Sequence, residues 1–88
     1  MKVQVKLFAT FIQSLAESVR TQHPEGIHAG RPFDQEMPEG STLADLAVAL
    51  CLPEDEIKVI FVNGRAQKLE YRLQPGDMIG IFPPIGGG

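Results

Sequence analysis

Cysteine is nearly missing from this 88-residue sequence: Cys51 stands alone, so no disulfide can form within the chain and the core must hold by packing. Long apolar runs are missing too. Lys2, Gln4 and Lys6 interrupt the N-terminal apolar residues at every second position, which fits neither a signal peptide nor a membrane span. Basic clusters are also absent, and with a formal charge of −3 nucleic acid is not an expected partner. An acidic surface instead favours a basic protein partner. His23 and His28 share a Pro/Gly loop with no further ligands in sight, so no zinc site is expected. No Ser-His-Asp set, phosphate-binding glycine loop or pair of catalytic carboxylates can be identified. Nothing in the chain calls for an oxidising compartment or a membrane, so a cytoplasmic protein is expected.

What is present suits one small α+β domain. Hydrophobic residues at 43% and charged residues at 22% are ordinary for a globular chain with a single core. Val3, Val5 and Leu7 alternate with Lys2, Gln4 and Lys6, the period of a half-buried strand over Met1–Phe8. Phe11 or Ile12, Leu15 and Val19, with Ala16 beside them, recur at helical spacing and predict a short helix. His23-Pro24-Glu25-Gly26 breaks it, and a loop rich in Gly and Pro follows to Pro32. Phe33–Met37 reads as a second strand, antiparallel to the first.

Thr42–Leu50 is the clearest helix. Thr42 followed by Asp45 fits a capping pattern, Leu43, Leu46, Ala47 and Leu50 form one apolar stripe, and Pro53 is expected to stop it. Cys51, beside Leu50 and Leu52, reads as a buried and inert thiol. Glu54-Asp55-Glu56 is a solvated connector. Ile57–Val62 reads as a buried central strand, and Asn63-Gly64 as a tight hairpin returning along Arg65–Leu69. Gln74-Pro75-Gly76-Asp77 suits a type II turn before a last strand, Met78–Phe82. The first and last strands are apolar enough to lie side by side within the sheet.

The sequence closes on Phe82-Pro83-Pro84-Ile85-Gly86-Gly87-Gly88. Prolines hold a backbone extended, and glycines pass where any side chain would clash. Residues 83–88 therefore read as a thin, flexible arm of roughly 20 Å beyond a domain at 1–82. Its tip, the Gly88 carboxylate, is suited to entering a buried active site.

This order of elements, with Pro38-Glu39-Gly40-Ser41-Thr42-Leu43, Val62-Asn63-Gly64, Leu73-Gln74-Pro75-Gly76-Asp77 and the Phe-Pro-Pro-Ile-Gly-Gly-Gly ending, resembles the MoaD/ThiS family, and its molybdopterin-synthase branch in particular. The resemblance implies a β-grasp, ubiquitin-like roll: a mixed sheet of four to five strands packed on one main helix. It implies a sulfur carrier that is not itself an enzyme and binds no cofactor. An E1-like enzyme would consume ATP to adenylate Gly88, and a sulfur donor protein would convert the adenylate to a thiocarboxylate. The larger subunit of a molybdopterin synthase would then receive the sulfur for the dithiolene that holds molybdenum or tungsten. Gly87 and Gly86 would be the stalk, and Pro83, Pro84 and Ile85 would direct it. Phe8 and Phe82, at adjacent strand ends, would form an apolar docking patch or simply pack in the core. The hairpin residues Arg65 and Ala66 would contact a partner or stay solvated. The segment Arg20–Arg31 is longer than compact carriers have, and the three terminal glycines exceed the usual pair. A ubiquitin-like modifier conjugated through Gly88, a thiamin-type sulfur carrier and an interaction module with idle glycines stay open beside this reading.

Overall fold

A computed structural model of the chain describes residues 1–8, 11, 15 and 20–82. Five strands form a single sheet: β1 (Lys2–Leu7), β2 (Phe33–Glu36), β3 (Val59–Val62), β4 (Arg65–Gln67) and β5 (Met78–Phe82), in the spatial order β2-β1-β5-β3-β4. The strands β1 and β5 run parallel, and the other neighbours are antiparallel, so the sheet is mixed. One helix, α1 (Leu43–Ala49), covers one face, and a short 3-10 turn spans Glu54–Glu56. This is the β-grasp, ubiquitin-like fold.

Alternation decides which side chains face α1. Val3, Val5 and Leu7 of β1, Ile79 and Ile81 of β5, and Ile60 and Val62 of β3 all point into one core with Leu43, Leu46, Ala47 and Leu50 of the helix. The expected first helix falls largely on residues 9, 10, 12–14 and 16–19, outside those described. Of its stripe, Phe11 and Leu15 are buried in the same core, and Arg20 and Thr21 are helical.

Every amide of the first turn of α1 has an acceptor, which a buried helix start requires. Leu43 N donates to the Tyr71 carbonyl at 3.0 Å and Ala44 N to the Leu69 carbonyl at 3.0 Å. Asp45 N donates to Thr42 Oγ1 at 3.2 Å, and Thr42 N donates back to Asp45 Oδ2 at 2.9 Å, completing the capping box. Pro53 does not stop this helix. Cys51 takes a left-handed conformation (φ 57°), Cys51 N donates to Val48 O at 3.0 Å, and Leu52 N donates to Ala47 O at 2.9 Å. Those two bonds are a Schellman ending, with cysteine where glycine is commonest. The conformation turns Cys51 outward, so its thiol is exposed and not buried.

The strand β3 is likewise not the central one. The parallel β1–β5 pair takes the middle, which leaves β3 one strand from the edge with Phe61 38% exposed on the face away from α1. Asn63 and Gly64 both have positive φ, 53° and 85°, as a two-residue hairpin of the mirror type needs. Gly76 at φ 82° occupies the position of the second turn that excludes a Cβ.

Candidate functional site

The sheet face opposite α1 has no covering layer among the described residues. Its side chains are those out of phase with the core: Lys2, Gln4 and Lys6 on β1, with Phe8 just beyond, Met78, Gly80 and Phe82 on β5, Val59 and Phe61 on β3, and Ala66 on β4. The apolar residues gather at the end of β5, where the chain leaves the domain. Phe8 and Phe82 stack with ring centroids 4.5 Å apart and planes 15° from parallel. Phe61 meets Phe82 edge-on at 5.7 Å and 85°. Both geometries are preferred pairings of ring quadrupoles. Phe8 and Phe82 are thus half-buried against each other on the open face and do not fill the core.

Backbone pairing fixes this cluster. Central β5 is bonded on both sides, with Val5↔Ile79 and Leu7↔Ile81 toward β1 and Ile60↔Ile81 and Val59↔Phe82 toward β3. The last carbonyl, of Phe82, accepts from Lys58 N at 2.9 Å, so the strand is held to its final residue. The Arg20–Arg31 segment reaches the same place: Gly30 N donates to Leu7 O at 2.9 Å, and a Cβ on Gly30 would sit 3.5 Å from the Phe8 ring. Further back in that segment His23 packs edge-on against Phe33 at 5.1 Å. Among the described residues no cluster of His, Cys, Asp and Glu is arranged to hold a metal ion.

The opposite end of β5 is set by a polar hub that sequence reasoning missed. Asp77, 6% exposed, accepts from Asn63 Nδ2 at 2.9 Å, Tyr71 Oη at 3.0 Å and the Gln74 amide at 2.8 Å. Asn63 Oδ1 in turn accepts from Met78 N at 3.0 Å. The hub ties the Asn63-Gly64 hairpin to the turn that launches β5. Burial pushes the Tyr71 hydroxyl above its ordinary pKa of 10.0, and the hydrogen bond to Asp77 and that residue's charge add to the rise.

Of the residues the sequence singled out, Phe8, Phe82 and Ala66 come together, Ala66 lying directly across from Phe61. Arg65 pairs with Val62 and so falls on the other side of the edge strand. Pro83, Pro84, Ile85, Gly86, Gly87 and Gly88 lie outside the described residues. Phe61 was missed, although its signal was present: Ile60 and Val62 flank it, and strand alternation sends Phe61 away from them.

Comparison with known proteins agrees with this architecture. The model of the ThiS family matches residues 25–88. A candidate molybdopterin converting factor, subunit 1, from Pyrococcus furiosus is 29% identical, with TM-score 0.62 over 97% of this chain and 99% of that one. Small archaeal modifier protein 1 of Haloferax volcanii superimposes with TM-score 0.63 at 20% identity, each chain covered fully at 100%. A subunit in the complex of subunits 1 and 2 of molybdopterin-converting factor from Helicobacter pylori gives TM-score 0.56 at 21% identity, again over 100% of both chains. Among curated proteins no match is found. With the family model covering most of the sequence and the β-grasp sheet in place, the chain belongs to the ThiS family, the ubiquitin-like proteins of the sulfur-carrier or modifier type.

Proposed function

We propose that this protein is a sulfur carrier for molybdopterin synthesis, a domain at 1–82 bearing a reactive arm at 83–88. The observation that carries the reading is the aromatic cluster at the root of that arm: Phe8, Phe61 and Phe82 crowd the exit of a central strand hydrogen-bonded through its last residue. A partner docked there would receive the arm at a fixed origin, which limits the volume its tip must search. In the first step the Gly88 carboxylate attacks the α-phosphate of ATP on an E1-like enzyme, forming the acyl-adenylate and releasing pyrophosphate. A sulfur nucleophile from a donor protein then forms a C–S bond as the C–O bond to AMP breaks. The thiocarboxylate enters the larger subunit of a molybdopterin synthase and gives its sulfur to a pterin precursor. The acids, bases and nucleotide site belong to those partners.

The Phe-Pro-Pro ending supports this destination, as does 29% identity to a candidate molybdopterin converting factor subunit against 20% to an archaeal modifier. The test is intact mass after incubation with ATP, the E1-like enzyme and a sulfur source. A gain of one oxygen-for-sulfur exchange, lost when Gly88 is deleted, is the expected result. An unchanged mass beside an active E1-like enzyme refutes sulfur transfer, and a ladder of protein adducts assigns the chain to conjugation.

A further inference from the structure

Across the middle of the open face Lys6, Gly80 and Phe61 lie in register on three adjacent strands. Gly80 is not among the glycines with positive φ, so its backbone conformation does not demand glycine. Space does: a Cβ there would meet the Phe82 ring at 3.2 Å and 3.6 Å. A glycine inside a strand with no conformational duty marks a point of close approach. Here it leaves a notch floored by backbone, with Phe82 along the strand and Lys6 and Phe61 on either side, about 10 Å apart at two strand spacings.

The two lysines of β1 have different surroundings. Lys2 pairs with Asp34 at 3.9 Å, an acid to which Gln4 Nε2 also donates at 3.4 Å. Lys6 lies beyond the end of the β2 register, which stops at Val5↔Phe33, and its other neighbour is Gly80. Half-buried, it has no ion-pair partner among the described residues. Any partner that covers the three phenylalanines must also cover this ammonium. Dehydrating it without a counter-charge would cancel much of the gain from burying the rings. The acidic net charge of the whole chain thus misdescribes this face, whose apolar end carries a cation and no described carboxylate.

Resting on the reading that this face docks the sulfur-accepting subunit, we propose that Lys6 determines its specificity. The notch over Gly80 receives an Asp or Glu side chain of that subunit, its stem against Phe82 and its carboxylate on Lys6 Nζ.

The probe is the molybdopterin converting factor subunit 2 encoded in the same genome, titrated calorimetrically with the full chain at low and high salt. Lys6→Gln should weaken binding about 30-fold or more and flatten its salt dependence, with Lys6→Glu weaker still and both melting as wild type does. Gly80→Ala should also weaken it. A loss below about 5-fold for Lys6→Gln, the scale of a solvated rim pair, overturns the inference. Phe61→Ala separates the two layers of the argument. If it abolishes binding while the Lys6 variants bind normally, the docking face stands and the acidic contact fails. If none of them weakens binding, the face reading fails as well. A loss confined to the E1-like enzyme, or to self-association of this chain, overturns the assignment of the occupant.

Discussion

Removing the Asp77 carboxylate should destabilise the domain by about 3 kcal/mol. In Asp77→Ala three donors lose their acceptor at once: Asn63 Nδ2, Tyr71 Oη and the Gln74 amide. A hydrogen bond to a charged acceptor contributes about 1.5–3 kcal/mol when both groups are removed from water. Asn63 and Gln74 are exposed residues, so water replaces part of what they lose, and about 1 kcal/mol per bond is the appropriate scale. For a domain of this size that corresponds to a fall in Tm of about 12–24 °C. Asp77→Asn keeps one acceptor oxygen but turns an NH2 toward donors, and should lose about half as much. Urea unfolding at pH 7 measures both, with an unchanged m-value confirming that the denatured state is the same. Partner binding well below the transition should survive, because the hub launches β5 at the end remote from Phe82. An Asp77→Ala protein within about 0.5 kcal/mol of wild type would refute the hub, since the net value of one neutral hydrogen bond already exceeds that.

Loss of the capping box should be measurable separately: Thr42→Ala lowers stability by about 1 kcal/mol, and adding Asp45→Ala lowers it by less than the sum of the singles, because each completes the other's bond. Cys51→Gly should raise stability by about 0.5 kcal/mol by relieving a left-handed non-glycine residue, less the added freedom of the unfolded chain. In wild type the Cys51 thiol should react stoichiometrically with an aromatic disulfide reagent under native conditions, and protection until unfolding would contradict its exposure. Tyr71 holds its proton more tightly folded than unfolded. Its stabilisation is therefore full below pH 10, the unfolded value, and is lost as pH rises through the folded one; a pH series of melts on wild type and Tyr71→Phe, which should lack that slope, checks the sign.

The sequence by itself determined what rests on neighbours along the chain. The two-residue alternation of β1, the Thr42–Asp45 cap, the Leu43/Leu46/Ala47/Leu50 stripe, the Asn63-Gly64 hairpin and the Pro75-Gly76 turn each involve residues within a few positions of one another, and each is formed. The same local patterns, with the glycine-rich ending, carried the resemblance to a ThiS-type chain. Tertiary structure decided what depends on which strands meet. Parallel pairing of β1 with β5 moved β3 off the centre and put Phe61 on the open face, although its apolar run read as buried on both sides. That pairing also brought Phe8 onto Phe82 and aligned Lys6 with Gly80, contacts between opposite ends of the chain that no local period encodes. Asp77 shows the division within one residue. Its place in a Pro-Gly-Asp turn was legible, but its bonds to Asn63 and Tyr71 were not, because a hydrogen bond across a sheet is set by register and burial. Cys51 errs the other way: an apolar neighbourhood in sequence suggested burial, and a left-handed helix ending turned the side chain to solvent.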